Sequence, residues 1–445
     1  MMRAGTLTVV AWLAAQATAG APEAKTPKPD PTADYLVHLP RGVEVFHWKL
    51  DLSGEVRMRE EWWENEDLSG EGWENRFFVR TRLRADLAFG ERMKAVVELV
   101  DGREWMSERE PRPQQDELDL HQAYIEFGGL LGQPLMLRLG RQEIDLGSRR
   151  LVAAPTWNNL LRSFDAARLT YAGELLDVHA FYGSVVVPVD DEFNEHKPGE
   201  RFFGLFTTLK PFAAHKADLY ALGLVNHKDE FKGENGETGK RHLYTFGGRL
   251  YGHFTRRWTY EAEAAFQRGR YSDDKLRAWA FHADTAYTLP LPWEPSLQAL
   301  FNFATGDRNP TDGTRNTFDP LFTTTHDMYG GIMDQVTWMN VKVAGLKLRA
   351  KPLRKLTLMA EAHRYWLDEA ADAWYPGSKK AKRRDTTGRS GDAIGHELGF
   401  TAKYAFTKQL ELEGGAARFF AGPFVRNTGP HDDMTFAYLQ TIFRF

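Results

Sequence analysis

The chain has 445 residues, no cysteine, a formal net charge of −4 and 13% aromatic residues. The absence of cysteine excludes disulfides and thiolate metal sites, and it suits a protein that crosses an oxidising periplasm unfolded. No apolar run beyond the N-terminus is long enough for a transmembrane helix, so any membrane-spanning part must be a closed β-barrel.

The first 44 residues have the pattern of a targeting signal and a linker. Residues 1–19 are predicted to be a secretory signal peptide, because Arg3 precedes the apolar run Leu7–Ala15 and the small residues 17–19 follow it. Residues 20–44 contain five prolines and are predicted to form an extended periplasmic linker. Residues 45–445 are predicted to form one domain.

Strand-like segments follow one another from there to the C-terminus. In Arg76–Phe89, apolar residues alternate with a second set that includes four arginines, which gives an extended chain one apolar and one basic face. About eighteen such segments occur, an even number within the range of bacterial outer-membrane barrels. The predicted strands are Trp48–Trp62, Arg76–Phe89, Met93–Glu104, Glu117–Phe127, Leu135–Glu143, Ser163–Tyr171, Leu175–Val186, Arg201–Lys210, Ala217–His227, Arg241–Phe254, Trp258–Gly269, Leu276–Leu289, Ser296–Thr305, Val336–Ala350, Leu356–Trp366, Ala393–Phe406, Gln409–Ala421 and Met434–Phe445.

The connections alternate in length. Most links after odd-numbered strands are long, as in Ile144–Arg162 and Gly306–Gln335, with Arg270–Lys275 the short exception, whereas links after even-numbered strands are tight turns. A soluble β-sandwich has no reason to sort its loops in this way. The pattern predicts an all-β, antiparallel up-and-down transmembrane barrel with long extracellular loops and short periplasmic turns. We therefore expect an outer-membrane location with both termini in the periplasm. The C-terminal segment ending at Phe445 is similar to the last strand by which such barrels are recognised for insertion.

If the apolar faces contact lipid, the opposite faces line the lumen. Its basic candidates come mainly from the first third of the chain: Lys49, Arg57, Arg59, Arg76, Arg80, Arg82, Arg84, Arg138, Arg168 and Arg249. Its acidic candidates come from the second half: Glu261, Glu263, Asp284, Glu361 and Glu397. A wall of arginines would concentrate anions and offer bidentate sites for carboxylates. The alternative is that these charges neutralise one another and only keep the lumen wet.

Two stretches have a more varied residue composition than simple connecting loops require: Gly140–Tyr171 and Ala304–Gly331. With them, the segment Trp48–Phe445 resembles the alginate-export family of bacterial outer-membrane proteins, eighteen-stranded barrels that pass an anionic uronate polymer. The resemblance implies an arginine-lined constriction, which the first six strands could supply. It implies a channel for anionic solutes that exports an acidic polysaccharide, and a periplasmic scaffold as a partner. A general or small-anion diffusion porin is the alternative.

One feature departs from that family. Its best-known exporters are plugged by a long periplasmic turn near the C-terminus, but the corresponding turn here, between Phe406 and Gln409, is minimal. Either another loop gates the pore or the pore conducts without that plug.

Two loop patterns invite a ligand. Asp307, Asn309, Asp312 and Asp319 could suggest calcium, but their spacing is not that of an EF-hand, and turn formation explains them more simply. The basic run 379–384 could hold an anionic polymer or lipopolysaccharide phosphates, although such runs are usually solvated.

The remaining expectations concern chemistry and surroundings. No G-x-S-x-G elbow or comparable catalytic group is present, so we expect no enzymatic activity. We expect no cofactor, no metal site and no nucleic-acid partner, and a monomer in contact with outer-membrane lipid and lipopolysaccharide. Several tryptophans near strand ends are predicted to form the interfacial girdle: Trp48, Trp62, Trp63, Trp105, Trp258, Trp338 and Trp366.

Overall fold

A computed structural model describes residues 43–45, 48–70, 72–107, 113–190, 192–324 and 326–445. The predicted signal peptide and nearly all of the predicted linker lie outside these residues. A short strand, Val43–Val45, pairs antiparallel with the start of the first long strand. Within the described residues, no helix has the length and apolar character needed to cross a membrane.

Eighteen long strands dominate the chain, because alternating apolar and polar residues favour extended structure with two unlike faces. They are β1 Trp48–Glu64, β2 Trp73–Phe89, β3 Met93–Trp105, β4 Asp116–Phe127, β5 Leu135–Gln142, β6 Phe164–Ala172, β7 Leu176–Val187, β8 Glu200–Phe212, β9 His215–Lys232, β10 Thr238–Thr255, β11 Trp258–Tyr271, β12 Asp274–Thr288, β13 Ser296–Ala304, β14 Val341–Leu353, β15 Leu356–Trp366, β16 Ala393–Ala405, β17 Leu410–Ala421 and β18 Met434–Arg444. One short helix, Pro423–Thr428, precedes β18.

The sheet closes on itself. Each long strand pairs antiparallel with its neighbours in sequence, and β18 pairs with β1 from Glu55↔Arg444 to Glu64↔Thr435. Beyond this ladder, the backbone of Phe445 exchanges hydrogen bonds of 2.9 and 3.1 Å with Gly54. Closure pairs the strand edges, which is the condition for a β-structure to sit in lipid. The predicted eighteen-stranded up-and-down barrel is confirmed.

The connections differ at the two ends of the barrel. At one end they include long segments such as 143–163, 305–340 and 367–392, and at the other end they are turns of two to seven residues. We call these the long-loop end and the short-turn end. The predicted long link Lys228–Lys240 is in fact only residues 233–237, because β9 and β10 extend beyond their predicted bounds.

Two long connections fold into the lumen. We name residues 143–163, between β5 and β6, inner loop A, and residues 305–340, between β13 and β14, inner loop B. Their apolar side chains, such as Leu151 and Phe318, are buried in one core with inward-facing wall residues such as Phe202 and Leu243. The long-loop half of the lumen therefore contains a hydrophobic core. The predicted strand Val336–Ala350 begins only at Val341, because residues 336–340 belong to this core.

Candidate channel lumen

Inner loop A is bound to the wall that was predicted to be basic. Arg57 donates hydrogen bonds to the carbonyl oxygens of Thr156 and Trp157 at 2.8 and 2.6 Å. Arg80 donates to the carbonyl oxygens of Thr156 and Asn158 at 2.9 and 2.7 Å. Both arginines are almost fully buried. These two predicted substrate contacts therefore act as clamps on inner loop A, because each donates hydrogen bonds to two of its carbonyl oxygens.

Arg59 joins the same contact through an aromatic stack. Its guanidinium lies 3.8 Å from the ring centroid of Trp157, and it pairs with Glu61 at 2.8 Å. The Trp157 ring in turn stacks on His326 of inner loop B, with centroids 3.6 Å apart and planes inclined by 4°. Both faces of the indole are covered, so Trp157 is not a free platform for a sugar ring.

Inner loop A also reaches the wall that was predicted to be acidic. Arg150 forms ion pairs with Glu261 and Glu263, the latter at 2.8 Å, and all three side chains are buried. Arg249 pairs with Asp218 at 2.7 Å and with Glu261 at 3.0 Å. One loop therefore presents carbonyl oxygens to the arginines on one side of the lumen and a guanidinium to the carboxylates on the other.

The two inner loops are joined to each other. Phe322 donates its backbone N–H to Leu151 and accepts from Ala153, both at 2.9 Å, which forms a short parallel bridge. The Tyr329 hydroxyl donates to the carbonyl oxygen of Arg150 at 2.6 Å. The loops therefore form one unit inside the barrel.

Inner loop B is held by Glu397 on β16. This carboxylate is fully buried and accepts from the Met333 backbone at 3.1 Å and from the Tyr365 hydroxyl at 3.0 Å. Gly331 lies against it with a φ of +76°, and a Cβ there would be 2.2 Å from a Glu397 oxygen. The close approach therefore requires glycine at this position.

A second contact of inner loop B involves the predicted acidic residue Glu361. Lys347 on β14 pairs with Asp327 of the loop and, at 3.2 Å, with Glu361. His363 lies 3.3 Å from the same carboxylate. Glu361 therefore helps to hold inner loop B through its ion pair with Lys347.

Two arginines on β2 remain partly exposed on the inward face of the wall. Arg82 pairs with Glu98 at 2.6 Å and Glu143 at 3.2 Å, and Arg84 pairs with Asp86 at 2.7 Å. Their side chains are 19% and 18% exposed, so they still contact solvent. Burial alone would raise the pKa of Glu143, but the charges of Arg82 and Arg84 and the hydrogen bond with His121 together outweigh it and hold that pKa at about 2.

Two further arginines on β5 and β6 complete this row. Arg138 pairs with Glu126 at 2.6 Å and lies 4.2 Å above the Tyr124 ring. Arg168 is opposite Arg138 in register, but its recorded partner is the His179 ring at 3.1 Å. No carboxylate lies within 4.0 Å of Arg168 among the described residues, and its buried Nε has no hydrogen-bond acceptor.

The other predicted lumen residues lie apart from this row. Lys49 is exposed near the short-turn end, and Arg76 pairs with Glu74 at 2.6 Å near the long-loop end. Asp284 lies 2.8 Å from His282 on the opposite side of the barrel. The predicted residues thus do not converge on one site.

Carboxylates and histidines meet in two places in the described lumen. Each group has its ligand atoms within 4.8 Å of one another: Glu98, His121 and Glu143; and Glu261, His282 and Asp284. Arg82 contacts two members of the first group, and Arg150 contacts Glu261 in the second. Guanidinium groups therefore supply the counter-charge that a metal ion would bring.

The residues of the calcium hypothesis act separately. The side chain of Asn309 accepts from Thr311 at 2.9 Å, and that of Asp312 accepts from the Thr314 backbone at 2.9 Å. Asp319 accepts from the Leu321 backbone at 2.8 Å. These are local turn contacts, in agreement with the turn-forming interpretation.

The basic run 379–384 contacts other parts of the chain. Lys379 donates to the Leu321 carbonyl oxygen of inner loop B at 2.6 Å, and Arg383 donates to that of Val425 at 2.8 Å. Arg384 pairs with Asp372 at 3.0 Å. The interpretation as a solvated loop is wrong for Lys379 and Arg383, which are partly buried against other connections, whereas Arg384 is exposed although it is paired.

Sequence reasoning missed the apolar inner loops. Trp338, predicted for the interfacial girdle, is fully buried inside the barrel, and Trp63 is buried against Phe436 with ring centroids 4.2 Å apart. The available signal was composition, since residues 331–339 and 151–154 are too apolar for solvated loops. The inner loops occupy the long-loop half of the lumen, whereas the turn 406–409 is only four residues long.

Comparison with known proteins agrees with this architecture. The family model described as alginate export matches residues 48–438. No curated protein matches the sequence significantly. Among solved structures, Pseudomonas aeruginosa OccK8 (OprE) has a TM-score of 0.60 at 12% identity, covering 89% of this chain and 98% of that one. Pseudomonas aeruginosa OccD3 (OpdP) has a TM-score of 0.59 at 12% identity, covering 88% and 91%.

At this identity the structural likeness establishes the fold alone. The family match covers most of the chain, including both inner loops and the arginine row. Together with the closed barrel, it identifies an outer-membrane channel of a transport family. The chain belongs to the alginate export family.

Proposed function

We propose that this outer-membrane channel conducts anionic solutes and that its cargo is an acidic, uronate-type polysaccharide. The observation that carries the proposal is the arginine row on β2, β5 and β6: Arg82, Arg84, Arg138 and Arg168. The first three guanidiniums are inward-facing and partly exposed, and Arg168 has no carboxylate partner among the described residues. A sugar carboxylate offers the two parallel acceptors that a guanidinium binds best.

Conduction of small anions without polymer export is the second candidate. The inner loops fill the long-loop half of the lumen, and this favours the small-anion channel. A polymer needs a continuous path that is wide enough for a sugar ring. Inner loops A and B are packed as a buried core, which leaves less room than an empty barrel. Polymer export therefore requires the inner-loop unit to move, whereas small anions need a narrower route.

Planar bilayers containing the purified full-length protein test the proposal. We expect anion-selective conductance that added polyuronate blocks, and a loss of selectivity in the variant Arg138→Glu/Arg168→Glu. Arg364→Glu is the matched control, since Arg364 lies on the outer face of β15 beside Trp366. Cation-selective conductance that ignores polyuronate would contradict the anion path. Anion selectivity without block by the polymer would leave the small-anion channel.

We also propose cleavage after residue 19, a periplasmic linker over residues 20–44, and both termini in the periplasm. The sided loop lengths support this orientation. A periplasmic scaffold is the proposed partner, and the barrel is proposed to act as a monomer among outer-membrane lipids. N-terminal sequencing of the mature protein and protease protection of terminal tags in intact cells test the cleavage and the orientation.

A further inference from the structure

Four cations project from the outer wall of β11 and β12. Arg268 and Arg270 on β11, and Lys275 and Arg277 on β12, are exposed. The residues between them, such as Leu276, are turned inward. We call Arg268, Arg270, Lys275 and Arg277 the outer cationic patch. It faces the surroundings of the barrel and not the lumen.

The strand register places like charges directly opposite each other. Arg268 is opposite Arg277, and Arg270 is opposite Lys275. Like charges at directly opposed positions of an antiparallel pair destabilise the sheet. An anion between the two strands would turn this repulsion into attraction.

The chain does not supply that anion in the described part of the molecule. None of the four side chains has a carboxylate within 4.0 Å among the described residues, and the recorded acceptor for Arg268 is the carbonyl oxygen of Gln267. Two other outward cations at the same end have carboxylate partners, since Lys342 pairs with Asp368 at 3.3 Å and Arg418 pairs with Asp433 at 3.4 Å. The outer cationic patch is thus a group of four neighbouring exposed cations without a carboxylate partner in the described part of the chain.

The level of the patch along the barrel indicates its surroundings. Phe266 and Trp279 are exposed on the same outer face, two residues nearer the short-turn end than Arg268 and Arg277. Two residues of a strand span about 7 Å, and aromatic side chains of this kind mark the edge of the apolar band. The four cations therefore lie at the level of the lipid headgroups, on the side of the long loops.

We propose that the outer cationic patch binds the phosphate groups of a phosphorylated glycolipid, the lipid A headgroup of lipopolysaccharide, in the outer leaflet. Each phosphate offers several charged oxygens, which suit the planar donor array of arginine and the point charge of lysine. The inference rests on the proposed orientation, in which the long-loop end faces outward. It differs from the earlier expectation for residues 379–384, whose cations contact the chain itself.

Lipid binding to the full-length barrel tests this site. The protein is purified in detergent free of lipopolysaccharide and titrated with bisphosphorylated lipid A, with dephosphorylated lipid A and with inorganic phosphate, by native mass spectrometry. For Arg268→Gln/Arg277→Gln we expect binding of bisphosphorylated lipid A to weaken about 30-fold, since each cation contributes to attraction toward anionic lipid. The matched control Lys342→Gln/Arg418→Gln removes two paired cations, and we expect a change below about twofold.

The outcomes separate this inference from the channel function. Equal affinity of wild type and patch variant, or equal binding of dephosphorylated lipid A, would overturn the site. Competition by inorganic phosphate alone would identify a general phosphate site in place of a lipid site, and competition by polyuronate would assign the patch to the cargo. Both results would also overturn it.

Conductance and orientation are measured on the same proteins. We expect the patch variant to keep wild-type anion selectivity, because its cations lie outside the lumen. The chain has no native cysteine, so Lys380→Cys reports the orientation of the long-loop end by labelling from outside the cell. If Lys380→Cys is labelled from outside the cell but the patch variant binds lipid A as the wild type does, only the lipid site is rejected. If Lys380→Cys is labelled only from the periplasm, the lipid site and the orientation are rejected together.

Discussion

Arginines on opposite sides of the barrel wall meet different acceptors. Inside, Arg57 and Arg80 are buried, and carbonyl oxygens of inner loop A occupy their donors. Outside, Arg268 and Arg277 are exposed and face each other with no carboxylate nearby among the described residues. The same side chain therefore holds the chain together on one face and is available to an external anion on the other. What differs is which molecule supplies the acceptor.

This contrast also applies within the lumen. Arg57 and Arg80 donate to carbonyl oxygens of inner loop A, whereas Arg84, Arg138 and Arg168 make their hydrogen bonds within the barrel wall. Alternation along β1 and β2 makes the positions of Arg57, Arg80 and Arg84 equivalent in sequence. The path of inner loop A separates the clamps from the arginines that remain partly exposed.

The largest expected effect comes from removing the clamps. In Arg57→Leu/Arg80→Leu, five hydrogen bonds between charged donors and inner loop A are lost, which should cost at least about 3 kcal/mol of unfolding free energy. Inner loop A should leave the wall, and single-channel conductance should rise severalfold. Urea unfolding in detergent and bilayer recording measure the two effects.

Lys49→Ala is the control for this variant, since it removes a lumen cation that is exposed near the short-turn end. We expect it to change neither quantity appreciably. Unchanged conductance in Arg57→Leu/Arg80→Leu would remove the distinction between clamps and solute-facing arginines.

A smaller effect is expected at the opposite wall. Arg150→Met leaves the buried carboxylate of Glu263 without its ion-pair partner, and losing one side of a buried pair typically costs about 3–5 kcal/mol. We expect a value near the low end, because Arg249 still neutralises Glu261 and the Tyr220 hydroxyl still donates to Glu263. Chemical unfolding of the reconstituted barrel provides the measurement.

The second variant, Arg150→Met/Glu263→Gln, removes both charges of this pair. It should recover part of the lost stability, because no uncompensated buried charge remains. If the double variant were as unstable as the sum of the two single variants, the Arg150–Glu263 pair would contribute no coupling.

The smallest effect concerns Asp307, a carboxylate that has no ion-pair partner among the described residues. Burial, followed by the charges of Glu234 and Asp372, raises the pKa of Asp307 to about 7. In the unfolded chain this pKa is about 3.9, so between pH 4 and 7 the folded state keeps a proton that the unfolded state releases. The stability of this part of inner loop B should therefore fall as the pH rises through that window and stay constant above it.

Hydrogen exchange of residues 306–312, corrected for intrinsic rates, measures this dependence. Protection should be higher at pH 5 than at pH 8 in the wild type and should vary less in Asp307→Asn. Equal protection at both pH values in the wild type would contradict a raised pKa of Asp307 in the folded protein.

The barrel itself could be predicted because its causes are local. Alternation of apolar and polar residues along β2 or β11, and tight turns such as 256–257, depend on neighbours in sequence. The arginines of β2 were placed on the correct face by the same rule. Strand bounds differed mainly at Val336–Ala350, where an apolar segment belongs to the inner core instead of the wall.

The site could be predicted only in part, because its partners are distant in sequence. Nothing near Arg57 in the chain indicates that residues 156–157 will accept its hydrogen bonds, and nothing near Glu263 indicates Arg150. Periodicity determines which face a side chain occupies. Whether that face meets water, lipid or another segment depends on the path of the long connections.

The seam between β1 and β18 has a consequence for assembly. Glu55 and Arg444 pair there at 3.1 Å although they are 389 positions apart in sequence, so this contact closes nearly the whole chain into a ring. Contacts of such separation form slowly, since the entropy of the connecting chain must be lost before they are gained. Until the seam closes, the contact between the rings of Trp63 on β1 and Phe436 on β18 is absent. The two strand edges are then unpaired and prone to aggregation. The speed of barrel closure therefore depends on how soon the two ends of the chain meet.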